Sequence, residues 1–299
     1  MEHEGWPQLP YEQWLPTYRT LHRYTQIAGK IKLALSPFLN EWWHAALFPR
    51  ARGLTTGIIP FRGRLFEITF DCLGHNLTVL DSKGRMRSFE LGDRSVADFY
   101  ALLFATLEEL DIEVAIDPTP QEMESTVPLN VDTSDFQYDR ASVERFWNLL
   151  SRVAGVFEQF RSGFSGKASP VHFWWGSFDL NLTRYSGRGC SAPSHAPRLA
   201  RIDCDEEHFS GGFWPGNEKF PQPAFYAYGY PAPKGIEGQR ISPEGSKWDP
   251  AMGEFILPYD TVRVSPDPEG AILKFLETSY RAIADLGDWD RAFLERTVK

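Results

Sequence analysis

The stretch Ser36–Gly53, SPFLNEWWHAALFPRARG, returns in outline as Ser169–Gly187, SPVHFWWGSFDLNLTRYSG. Each copy begins Ser-Pro, reaches a tandem tryptophan (Trp42-Trp43, Trp174-Trp175) and runs through strand-like residues to arginine and glycine, Arg52-Gly53 in one and Arg184 to Gly187 in the other. Gly29-Lys30 and Gly166-Lys167 precede the copies, each behind a helical segment. Self-similarity on this scale predicts two related structural units, whose junction is a natural ligand cleft.

Periodicity fills in the halves. Residues 12–35 read as a helix stopped by Pro37, and 41–49 as a strand. Phe66, Ile68 and Phe70 alternate with Leu65, Glu67 and Thr69, and Asp81-Ser82-Lys83-Gly84 is the turn of a hairpin between 77–80 and 86–91. Ser95, with Asp98 three residues on, caps a helix carrying Val96, Phe99, Leu103 and Leu107, and 112–116 reads as a closing strand. Acidic, proline-containing residues 117–138 read as the connection between a first half, 1–116, and a second, 139–299. The second half opens with an amphipathic helix over 139–161, continues as a strand over 171–185 and then as a long irregular loop, 186–223. Strands at 225–230 and 254–264 follow, and Asp267-Pro268 starts the last long helix. The order predicts an α+β fold of two similar halves, each helix, mostly antiparallel strands, helix, related by internal duplication.

The chain has 299 residues, of which 42% are hydrophobic and 24% charged, values of a globular protein with ample core. No apolar run approaches the roughly 20 residues that span a bilayer, and the first residues lack the pattern of a signal peptide. Three cysteines without CxxC spacing fit a reducing compartment, so the expected location is cytoplasmic. The net charge of −9 is segregated: eight Lys or Arg and one acid lie between Arg19 and Arg64, six and one between Arg161 and Arg201, and ten acids without a base between Glu108 and Asp139. Both tryptophan motifs thus lie in basic segments, which would focus a small anionic ligand if they converged. A sequence pI near 5.3 makes nucleic acid an unlikely partner.

Several stretches together resemble a bacterial and fungal family of unknown function, the domain-of-unknown-function family number 5996. They include Trp6-Pro7, Leu21-His22, Gly29-Lys30, Leu54-Thr55-Thr56, Ser169 to Arg188, Phe213-Trp214-Pro215-Gly216 and Glu254 to Asp260. The resemblance implies no activity, substrate or cofactor. Where the family pattern carries Ser-His-Glu ahead of Phe-Trp-Pro-Gly, this chain has Asp205-Glu206-Glu207 with His208 one place beyond, which bears on any role carried over to that histidine.

The strand after His172 is the richest candidate site. Alternation puts Trp175, Ser177, Asp179, Asn181 and Thr183 on one face, and Trp174, Gly176, Phe178, Leu180 and Leu182 on the other. The first copy has Trp43, Ala45 and Leu47 where the second has Trp175, Ser177 and Asp179, so only the second has become polar there. In this reading Trp175 and Trp43 stack on a ligand and Asp179 and Asn181 orient it. Lys30, Arg52, Lys167, Arg184 and Arg188 supply cationic groups for an anion, and Trp214 sits on a covering loop. His172, Asp179 and His208 are the weak catalytic candidates. No spacing calls for a metal or a cofactor. The alternative reading is a non-catalytic interaction module with an aromatic cleft.

Overall fold

The computed structural model describes residues 6–134, 136–196 and 198–296, so residues 1–5, on which the expectation about a signal peptide bears, lie outside the described residues. Two antiparallel sheets and their helices make an α+β fold. The first helix, α1 (Tyr11–Leu35), lies at the centre. Its sequence is only weakly amphipathic because neighbours cover it on several sides: nearly every residue from Thr17 to Lys32 is buried. Tyr24 stacks on Phe99 of α2 (Val96–Glu108), ring centroids 3.9 Å apart, and Trp14 stacks on Phe146 of α3 (Arg140–Ser162) at 5.0 Å.

The first sheet comprises β1 (Phe48–Arg50), β2 (Gly53–Thr55), β3 (Ile59–Phe61), β4 (Arg64–Asp71), β5 (Asn76–Asp81) and β6 (Met86–Glu90). Its order is β1-β2-β4-β5-β6, with β3 also paired to β4. Phe66, Ile68 and Phe70 are buried, as their alternation requires. Asp81 closes the hairpin by accepting the backbone N–H of Lys83 and Arg85, both at 3.0 Å. Ser95 accepts the N–H of Asp98 at 3.0 Å and so caps α2.

The second sheet runs β11-β12-β10-β9-β8-β7, built from β7 (His172–Trp174), β8 (Asp179–Gly189), β9 (Glu206–Trp214), β10 (Ala224–Tyr230), β11 (Lys247–Asp249) and β12 (Glu254–Pro258). Between β8 and β9 lies the short helix α4 (Arg198–Asp203); α5 (Tyr259–Arg263), α6 (Pro268–Leu286) and α7 (Arg291–Leu294) end the chain. Asp267 accepts the N–H of Gly270 at 3.0 Å and starts α6. One face of this sheet, with Leu180, Leu182, Phe209, Phe213, Phe225 and Ala227, is buried in the core against α3 and α6.

Five expectations are corrected. The strand expected over 254–264 ends at Pro258, and Tyr259–Arg263 is the helix α5. Residues 41–49 are not a strand: Asn40–Trp42 is a 3₁₀ turn in which Glu41 (φ 50°) and Trp42 (φ 59°) are left-handed, and only β1 is extended. Residues 112–116 form no strand. The strand expected over 171–185 breaks at a turn where Phe178 takes φ 59°, which turns its ring into the core beside Phe146 and Phe173. The loop expected over 186–223 contains the end of β8, α4 and all of β9, because Gly211 and Gly212 hide a strand pattern. The two tryptophan stretches therefore adopt different backbones, and the expected duplication gains no support from them. They do meet: Leu47 and Phe173 exchange backbone hydrogen bonds of 2.9 and 2.8 Å, joining the edges of the two sheets.

Candidate functional site

Where the motifs meet there is a cavity of about 530 Å³, within the range of small-molecule sites. Its floor is the second face of the second sheet. Registration sets Asn181 opposite Gly212 and Tyr226, Thr183 opposite Ser210 and Tyr228, and Tyr185 opposite His208. Opposed residues share a face, so the polar positions of β8 extend into a polar and aromatic grid across three strands. The walls come from Lys30 of α1, the turn carrying Glu41, Trp42 and Trp43, and residues 115–117, 121 and 122 of the connection, with Trp174 to Ser177 and Asp203 completing them.

Three glycines shape this space. A Cβ on Gly29 would overlap the Trp175 ring, and one on Gly212 would overlap the ring and hydroxyl of Tyr226. One on Gly176 would stand 2.7 Å from Glu122 Oε1. Trp175 thus fills a slot in α1, donates from Nε1 to the Ala45 carbonyl at 2.8 Å, and is 7% exposed. It bolts the two motifs together and offers the cavity only an edge.

Asp179 is the centre of a hydrogen-bond network. Ser177 Oγ donates to its Oδ1 and the Tyr226 hydroxyl to its Oδ2, while Asn181 Nδ2 donates to the Tyr226 oxygen at 3.1 Å and to Ser210 Oγ at 2.8 Å. Burial nevertheless pushes the Asp179 carboxyl up to about 6, outweighing these donors. Glu122, held by no hydrogen bond or ion pair among the described residues, stays exposed at the cavity rim, yet the desolvation of its carboxyl by the surrounding walls and the charge of Asp179 raise it. Asp203 is pushed up to about 6 by burial, with the charges of Glu41 and Asp205 adding to it. Glu41 is 2% exposed and raised by burial; its Oε1 accepts from Lys167 Nζ at 2.5 Å, while Oε2 has no partner among the described residues. Lys30 Nζ lies 5.6 Å from the Trp175 ring centroid, and burial lowers its pKa.

Of the expected site residues, Lys30, Trp43, Trp175, Asp179, Asn181 and His208 line the cavity. Lys167 stands behind it, 4.3 Å from the Tyr185 ring centroid and bridged to Glu41 and Glu206. His208 places Nδ1 2.9 Å from the Glu206 carbonyl, which requires the proton there and leaves Nε2 an acceptor; burial lowers its pKa.

The arginines do not converge. Arg184 follows Thr183 on β8 and so faces the opposite side, where its guanidinium lies 3.4 Å from the Phe160 ring centroid and donates to the Phe160 carbonyl. Burial pulls its pKa down to about 10. Arg188 pairs with Glu207 at 2.6 Å and donates to the Gly287 and Asp288 carbonyls at the end of α6. Arg52 pairs with Asp71 at 2.9 Å on the first sheet. Trp214 covers no part of the cavity; its ring lies 5.1 Å from that of Phe220. His172 is 1% exposed beneath Trp43, Phe48 and Trp174, both ring nitrogens unpartnered among the described residues, and burial holds it neutral with a pKa of about 3. It does not line the cavity.

Arg184 is therefore expected to act through stability. Arg184→Ala should cost roughly 2–4 kcal/mol in urea unfolding, and Arg184→Met, which refills the aromatic slot without a buried charge, less than about 1.5 kcal/mol. A large loss with methionine would mean that the guanidinium itself is required.

Glu41, Asp117, Glu122, Asp203, Tyr226 and Tyr228 were not singled out from sequence. The tyrosine alternation of Tyr226, Tyr228 and Tyr230 was a usable signal; the carboxylates arrive through turns and strand registration that no local pattern specifies. Among the described residues no group of three or more His, Cys, Asp or Glu could hold a metal ion, and no helix is long and apolar enough to cross a membrane. No curated protein and no solved structure matches the chain. A family model described as a family of unknown function, DUF5996, matches residues 6–296. With nearly its whole length matched, the chain belongs to this family.

Proposed function

We propose that the cavity binds a small organic cation, an amine or a quaternary ammonium. One observation carries the reading: five carboxylates, from Glu41, Asp117, Glu122, Asp179 and Asp203, line an aromatic-walled cavity with one lysine, Lys30, while a second, Lys167, pairs with Glu41 from behind it. Ring faces attract cations, and four of these carboxylates, Glu41, Glu122, Asp179 and Asp203, are held above their ordinary pKa, chiefly by desolvation, and gain most from a positive partner, whereas the exposed Asp117 lies below its ordinary value. The expectation of an anionic ligand rests on Lys30, Lys167 and three arginines, of which only Lys30 lines the cavity, and an anion here would meet repulsion from the carboxylates. An interaction module is less well supported, because Trp42, Trp43, Trp174 and Trp175 line a recessed cavity and none of the four is among the exposed residues. Three free cysteines support a reducing, cytoplasmic setting.

Thermal unfolding at slightly alkaline pH, with butylamine, choline, a neutral disaccharide and glutarate in turn, tests the reading. The amine and choline are expected to raise Tm by several degrees at concentrations far above Kd. Stabilisation by the sugar or the dicarboxylate without any by the cations would overturn it.

A further inference from the structure

The carboxylates of the cavity are not spread evenly. Asp179 and Glu122 form one pole: Glu122 Oε1 lies against Gly176, and Ser177, the next residue, donates to Asp179. Glu41 and Asp203 belong to the other. Glu41 is placed at the Tyr185 end of β8 by Lys167, which bonds Glu41 Oε1 at 2.5 Å and sits 4.3 Å from the Tyr185 ring centroid. Helix α4, which ends at Asp203, packs on the turn containing Glu41. Asp179 and Tyr185 are six residues apart on one strand, roughly 20 Å of extended chain. Between the poles the floor consists of Asn181, Thr183 and Ser210 with the Tyr226 and Tyr228 rings, and carries no charge.

Resting on the cationic reading of this cavity, we infer that its ligand class is a linear diamine or polyamine, with one terminal ammonium at Asp179 and Glu122 and the other at Glu41 and Asp203. The unpartnered Oε2 of Glu41, on a side chain 2% exposed, is an acceptor already withdrawn from bulk solvent at the second pole. A buried acceptor without a donor is costly, and an ammonium brings three donors to it. The intervening tyrosine rings and hydroxyl groups suit a chain of methylenes interrupted by secondary ammonium groups. A monoamine can satisfy one pole only. A diamine that reaches both gains the second contact without a second loss of translational freedom.

Calorimetric titration of the full chain with butylamine, 1,4-diaminobutane, spermidine and spermine, at moderate salt and slightly alkaline pH, tests the inference. At least one of the multivalent amines is expected to bind with one-to-one stoichiometry and roughly tenfold or more tighter than butylamine. Asp203→Asn should shrink that ratio toward one, and Asp179→Asn should weaken every member of the series. Glu41→Gln, measured in parallel, covers the case in which Asp203→Asn fails to fold. Equal affinities across the series, or a multivalent gain that survives both second-pole variants, would overturn the two-pole assignment while leaving the cation site standing. Absence of binding by butylamine and by all three multivalent amines would remove both.

Discussion

Asp179→Asn is expected to make the protein more stable at neutral pH and to weaken amine binding by more than tenfold. The folded state holds the Asp179 proton with a pKa of about 6 against an ordinary 3.8. Its contribution to stability is therefore fully present below the lower value and is lost as pH rises through the upper one. About two pKa units correspond to roughly 3 kcal/mol of burden at neutral pH. Asparagine removes the buried charge and keeps the shape, but its single oxygen can accept from Ser177 only at the expense of the Tyr226 donor, so a net gain of roughly 1–2 kcal/mol is expected in urea unfolding, vanishing below about pH 4. Comparing variant with wild type at each pH isolates this carboxyl from Asp203, which titrates in the same range. Ligand binding should run the other way, wild-type affinity for butylamine rising as pH passes through about 6 because the cation needs the ionised form. A variant less stable than wild type at neutral pH would make Asp179 a structural group and remove it as the anchor of the site.

Gly212→Ala should be the most damaging single methyl addition on the cavity floor. The new Cβ would occupy the place of the Tyr226 ring and hydroxyl, and the flanking strands β8 and β10 leave the backbone little freedom to yield. Tyr226 must swing away, and Asp179 loses a charge-assisted donor while remaining buried. Overpacking and the lost hydrogen bond together should cost about 3–5 kcal/mol, and amine affinity should fall with them. Gly211→Ala is the control: its Cβ would meet Leu276 and Phe209 on the helix-covered face, so it should cost stability without changing the pH dependence of amine binding. If both alanines reduce binding alike, the effect is general destabilisation and the Tyr226–Asp179 contact is not what holds the site.

The sequence revealed those parts of the molecule that local chemistry determines. Ser95 with Asp98, Asp267 with Pro268 and the turn at Asp81 act within four residues, and each helix or hairpin starts where these residues require. The alternation along β8 also carried over, since Asp179, Asn181 and Thr183 share a face despite the turn before them. What was not legible depends on contacts distant in sequence. Whether the basic segments converge is not written in them, since Thr183 and Arg184 are neighbours that point to opposite sides of one sheet. Glu41 reaches the cavity through two consecutive left-handed residues, neither of them glycine. Residues 117–138 looked like a mere connection, but Gln26 clamps Gln121 with two hydrogen bonds, 2.7 and 2.8 Å, and so fixes Glu122 as a wall. A side chain on α1 sets that position, and only the folded topology brings it there.

The paired hydrogen bonds between Leu47 and Phe173 also bear on the order of events in folding. They close a long chain loop at sheet edges and so carry a large closure entropy, shared with the Trp175–Ala45 and Lys167–Glu41 contacts beside them. Either sheet with its own helices can gather local contacts earlier, but the wall carrying Glu41, Trp42 and Trp43 is not in place until this seam forms. A ligand bound there would secure the last contacts made and the first released. Its kinetic signature would be slower unfolding with an unchanged folding rate.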